Sequence, residues 1–158
     1  MLNKSEAKWL FLTRVAMGWL MFYAGITKVL DPNWTAAGYG MSAKTFHGLF
    51  EFFVSPANIG LIDFVNKWGL TFLGVSLILG IGVRLCSLLG AVLMMFYYFP
   101  ILDFPYAGEH SYIVDEHIIY ALILAFFAAV RAGRYYGLEN WFGRTLLKNF
   151  SGFQRIWG

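Results

Sequence analysis

The chain has a single cysteine, Cys86. That excludes an internal disulfide, a CxxC redox pair and a cysteine zinc cage. A lone thiol in a Leu/Gly-rich run reads as a small packing residue. Charge is the second shortage. Only 13% of residues are charged, against roughly 25% in a soluble domain. No GxGxxG, P-loop, GxSxG or HExxH occurs. GYG at 38–40 lacks the TV that precedes it in a channel filter. Histidine is scarce too: His47, His110 and His117. Only His117 lies in or beside an apolar run, so no facing pair for a haem is available. The spacing of the three histidines with Glu109 or Glu116 matches no metal motif. No haem, flavin or metal site is evident. There is no internal repeat, low-complexity tract or flexible linker.

What is present is apolar. The 158 residues are 59% hydrophobic and 20% aromatic, with a mean hydropathy of +0.60. This is one domain's worth of chain, 1–158, in contact with a lipid bilayer. The pattern predicts an all-α membrane protein: a four-transmembrane-helix bundle with spans at about 9–30, 59–82, 85–102 and 116–133. The first run is too long for a cleaved signal and lacks a small-residue cleavage site, so it reads as a span that directs insertion. Residues 42–53 read as an outer amphipathic helix, capped by Ser42 and ended by Pro56, with Phe46, Leu49, Phe50 and Phe53 on one side. The tail from Tyr135, with Trp141, Phe142, Leu146, Leu147 and Phe150 among basic residues, reads as an interfacial C-terminal segment.

The net charge of +3 does not point to nucleic acid, because the basic residues sit beside the spans. Lys4, Lys8, Arg84, Arg131, Arg134, Arg144, Lys148 and Arg155 fall on one side by the span order. Lys44 and Lys67 fall on the other, with Asp31, Glu51, Asp63, Asp103, Glu109, Asp115 and Glu116. The positive-inside rule then predicts a multi-pass protein of the cell (plasma) membrane with both termini cytoplasmic.

Two cations lie inside the first span. Arg14, Gly18, Met21, Gly25 and Lys28 fall within about 40° of one helical line. A cation in hydrocarbon costs at least ~2.5 kcal/mol on insertion scales, so it marks function by default. The competing reading is that both cations snorkel to the interfaces. The glycines let another helix approach along the same line. In the fourth span His117, Ala121, Leu124, Ala128 and Arg131 repeat that geometry. If the two spans face each other, Lys28 meets His117 at the outer end and Arg14 meets Arg131 at the inner end. Arg84 joins an inner cluster that is all cationic, for which the positive-inside rule is the ordinary account. The outer cluster mixes Lys28, Asp31, Glu51, Asp115, Glu116 and His117. It suits an oxyanion or proton transfer to a quinone head group, or a network of helix caps.

Three stretches together resemble the DoxX/DoxD family of four-span membrane proteins. They are Arg14-x3-Gly18-x6-Gly25-x2-Lys28-x2-Asp31-Pro32, then Gly74-x5-Gly80-x3-Arg84. The third is Asp115-Glu116-His117 followed by Gly133-Arg134 and Gly137-Leu138-Glu139-Asn140-Trp141. The last is similar to the DoxD branch. The second span lacks the early glutamate of many DoxX proteins, having Trp68-Gly69-Leu70, and Glu139 stands where the family has aspartate. The resemblance implies a subunit of thiosulfate:quinone oxidoreductase, which joins two thiosulfates into tetrathionate and passes the electrons to membrane quinone. In that reading Lys28, with Arg14 and Arg84, binds substrate, and His117, Glu116 or Glu51 supplies protons. Membrane quinone is the second substrate, and a second subunit or a homo-oligomer is the partner. The alternative is a non-catalytic scaffold subunit of a larger respiratory or redox complex, with the glycine line packed on a partner. A small transporter ranks last, since four spans without a repeat are few for one.

Overall fold

The computed structural model describes residues 2–108 and 110–141. Glu109 and residues 142–158, and with them most of the expected interfacial segment, lie outside the described residues.

Helix α1 runs from Lys4 to Leu30. It begins five residues before the apolar run because Asn3 builds a reciprocal cap. The Asn3 side chain accepts the Glu6 amide at 2.9 Å, and the Glu6 carboxylate accepts the Asn3 amide at 2.8 Å. It stops at Asp31, held extended ahead of Pro32. Helix α4 covers Ile59–Leu79 and α5 covers Val83–Ile101. The turn between them uses Gly80 and Gly82, both with left-handed φ, so the reversal sits two residues before the position predicted for it. Among the described residues three helices, α1, α4 and α5, are long and apolar enough to cross a membrane.

Helix α6, Glu116–Val130, is apolar but has 15 residues, short of the ~20 that span hydrocarbon. Its start matches the prediction, with the Asp115 side chain accepting the Ile118 amide at 3.1 Å. Its end does not. Arg131 adopts a left-handed conformation and a single 3-10 turn, Ala132–Arg134, follows. Arg131 therefore leaves the helical line on which the sequence placed it.

Three further expectations need correction. The amphipathic helix expected at 42–53 is shorter, α3 (His47–Phe53); a separate short helix, α2 (Ala37–Met41), precedes it, and Ser42 ends α2 rather than capping α3. The chain between them is drawn onto the end of α5. The Lys44 amide donates to the Pro100 carbonyl at 2.9 Å and the Thr45 hydroxyl to the Leu102 carbonyl. The fold is not purely α-helical either. A small hairpin pairs β1 (Tyr106–Gly108) with β2 (Ser111–Tyr112), its tyrosine rings meeting edge to face.

The third correction concerns packing. The first and fourth spans were expected to face each other. Instead α1 lies along α4, α6 lies along α5, and α4 and α5 join the two pairs. Glycine decides this. A side chain at Gly25 would collide with the backbone of Thr71, and one at Gly18 with Leu77 and Ile78. Gly74 of α4 takes the backbone of Phe22 equally closely. The small-residue line of α1 is thus consumed by α4. Gly90 admits Leu73 from α4 and Leu124 from α6. Met21, Leu77, Val83, Leu124 and Phe127 form the centre of the core.

Candidate functional site

The bundle has a cation of interest at each end, fourteen residues apart on α1, or ~21 Å of helix. At the α1 C-terminal end a cavity of about 420 Å³ opens between the bundle and the short helices. The volume lies within the usual range for a ligand pocket. Lys28 comes from α1, Trp34 and Thr35 from the loop after it, and Tyr39 from α2. Phe50 and Phe53 come from α3, Ile62, Val65 and Asn66 from α4, and Leu93, Phe96 and Tyr97 from α5. The wall is mostly aromatic and aliphatic, with few polar groups.

The cover is pinned. The Ala36 amide donates to the Asp63 carboxylate at 2.8 Å, and the Tyr39 hydroxyl donates to the Tyr97 carbonyl. The Tyr39 phenol is pushed up to about 12, by burial first and then by the charges of Asp115 and Glu116. It therefore stays protonated and donating at neutral pH. Inside, the Tyr97 hydroxyl donates to the Asn66 side-chain carbonyl, and the Asn66 amide donates to the Ile62 carbonyl at 2.8 Å. The Lys28 ammonium lies 5.4 Å from the Trp34 ring centroid and 5.6 Å from that of Tyr97.

His117 stands behind Tyr97. The two rings stack with centroids 5.7 Å apart, and His117 Nδ1 lies 2.5 Å from the buried Asp115 carboxylate. That contact orients the imidazole. Lys28 and His117 thus both lie against the Tyr97 ring, although α1 and α6 are not packed face to face. Glu116 and Glu51 are exposed, and neither lines the cavity.

Arg14 and Arg84 belong to the other end of the bundle. Arg14 has no solvent exposure, so it does not snorkel. Its guanidinium donates to the Ala132 carbonyl at 3.0 Å and to the Tyr136 carbonyl at 3.4 Å. It packs so closely on Gly80 and Gly137 that neither position has room for a side chain. Arg84, half-buried, lies in the first turn of α5. The expectation of an all-cationic inner cluster is corrected by Glu139. This buried carboxyl faces Arg14, Arg131 and Arg134, and its proton affinity is raised by burial against the pull of those cations and the Val83 amide.

Sequence reasoning missed Trp34, Tyr39, Asn66, Tyr97 and Glu139 as site or cluster members. Asn66 was the readable one, an amide in a predicted span. Tyr97 and Trp34 were hidden by the abundance of aromatics.

A family model described as DoxX matches residues 9–101, more than half of the chain. No curated protein and no solved structure matches it.

Proposed function

Because the chain belongs to the DoxX family of membrane proteins, we propose that it is the membrane subunit of a quinone-linked oxidoreductase, of the thiosulfate:quinone type that its DoxD-like ending implies. The observation that carries this reading is the aromatic cavity with Lys28 at its wall and the Tyr97–Asn66 pair inside. A flat amphipathic ring suits such a lining: aromatic faces take the ring, and sparse polar groups take its carbonyl oxygens. The reaction joins the outer sulfurs of two thiosulfates. The new S–S bond releases two electrons, and quinone takes these with two protons to become quinol. Lys28 offsets the negative charge of the sulfur substrate. His117, oriented by Asp115 and stacked on Tyr97, is the proton source nearest the cavity, with Glu116 and Glu51 on the solvent side. Arg14 and Arg84 serve at the opposite end, Arg14 by holding the chain that follows α6.

In this reading α6 is a fourth crossing. Its first turn carries His117, which contacts Tyr97 at the Lys28 end, and the turn after it accepts hydrogen bonds from Arg14 at the far end. Both termini then lie on the cytoplasmic side of the plasma membrane, and the cavity faces outward. A second subunit or a second copy of the chain completes the electron path. The scaffold alternative relied on the glycine line for its partner, and α4 occupies that line.

The test is thiosulfate-dependent reduction of a short-chain quinone by the purified protein with whatever subunits accompany it. Turnover is expected, and Tyr97→Phe, which keeps the ring and removes the hydroxyl, lowers it ~10-fold or more. Absence of turnover in every preparation overturns the reading.

A further inference from the structure

We propose that Lys28 and Lys67 together clamp a divalent oxyanion at the rim of the cavity, with the Trp34 indole as the plate they share. The Lys28 and Lys67 ammoniums lie 5.4 Å and 5.6 Å from the centroid of that one ring. Lys28 lies in the last turn of α1, and Lys67 sits on the half of α4 that begins beside the same loop. Both side chains are half-buried. Among the described residues neither ammonium is paired with a carboxylate, unlike Lys44, which pairs with Asp103.

The carboxylates nearest in sequence are spent on the loop itself. Asp31 accepts the Asn33 amide at 2.9 Å and Asp63 accepts the Ala36 amide at 2.8 Å. These two bonds fix the segment that presents Trp34. Two like charges beside one ring repel, and a dianion neutralises both where chloride neutralises one. Each ammonium has three donors, which suits a tetrahedral oxyanion with several acceptors. Lys28 lines the cavity and Lys67 does not, which puts the anion at the mouth. The dianion is either free, as thiosulfate is, or the phosphate monoester head of a lipid whose chains enter the apolar cavity. The clamp rests on the proposed reaction only for naming thiosulfate as its anion.

The experiment is calorimetric titration of the intact protein in neutral, lipid-free detergent with sulfate, a non-reducing dianion. Lys28→Gln and Lys67→Gln each weaken binding about tenfold or more, while Lys44→Gln, whose partner is Asp103, leaves it unchanged. Short-chain phosphatidic acid is titrated in parallel. Much tighter binding than sulfate assigns the site to a lipid head, and comparable binding assigns it to a free anion; both support the clamp. Unaltered binding of both ligands in Lys67→Gln overturns it, whatever Lys28→Gln does. Sulfate binding without quinone reduction keeps the clamp and removes the reaction. Quinone reduction in Lys67→Gln with an unchanged thiosulfate KM and unaltered binding of both sulfate and phosphatidic acid removes the clamp and keeps the reaction.

Discussion

Single atoms decide the contact between α1 and α4. A methyl at Gly25 or Gly74 would fall on the backbone of the opposing helix, which cannot move aside as a flexible side chain can. Gly25→Ala and Gly74→Ala are therefore expected to cost ~1–3 kcal/mol each by overpacking. Gly60, in the first turn of α4, has open space around it, so Gly60→Ala is expected to be neutral or stabilising by up to ~1 kcal/mol. Thermal unfolding in one detergent checks all three. Glu139 makes a second residue-level prediction. Burial raises its proton affinity in the folded state above that of an ordinary glutamate. Its contribution is full below the unfolded value of ~4.3 and declines as pH rises through the raised folded value. Glu139→Gln carries no such slope. Unfolding temperatures measured between about pH 4 and pH 8 should fall more steeply in the wild type than in the variant. Equal slopes would mean that the carboxylate is ionised against Arg14.

At the scale of elements, Asp115 does two things with two oxygens. One caps α6 through the Ile118 amide and the other orients His117. Asp115→Asn keeps a competent cap but alters the partner of Nδ1. It is expected to leave the unfolding temperature nearly unchanged and to lower quinone reduction. Asp115→Ala loses the cap as well, at ~1 kcal/mol. Comparable activity in Asp115→Asn and wild type would leave the Asp115–His117 pair with a structural role alone. These elements also mark what was legible in the sequence. The long spans were, because ~20 apolar residues have few other uses. The start of α6 was, because Asp115 precedes an apolar run. The partner of the glycine line was not, since a glycine says that something approaches closely and not what. The segment at 42–53 misled because its apolar spacing is helical, while its first residues are held by distant carbonyls, the Lys44 amide by Pro100 and the Thr45 hydroxyl by Leu102. Lys28 stood out as a charge in a hydrophobic run. Its ring partners did not, in a chain with 16 phenylalanines, 9 tyrosines and 6 tryptophans.

At the scale of the whole molecule, the open quantity is the number of crossings, and parity makes it measurable. If α1, α4 and α5 each cross, the chain emerges opposite to the N-terminus, with the hairpin and Asp115 on that far side. If α6 crosses, the segment after it returns to the side of Lys4. If α6 lies along the surface, that segment stays with the hairpin. Its 15 residues give ~22 Å of helix against ~30 Å of hydrocarbon, so a crossing needs the flanking turns or local thinning of the bilayer. The contacts favour the crossing, because α6 meets Tyr97 near the end of α1 and the chain after it meets Arg14 near the start. Cys86 is the sole native thiol, so Cys86→Ser gives a background for reporters at the exposed positions Ser5, Gly48 and Asn140. In intact cells a membrane-impermeant maleimide is expected to label Gly48→Cys and to spare both Ser5→Cys and Asn140→Cys until the membrane is permeabilised. Labelling of Asn140→Cys together with Gly48→Cys would reduce the bundle to three crossings. The Arg14–Ala132 hydrogen bond, which ties α1 to the turn after α6, is the contact that a three-crossing bundle would have to break.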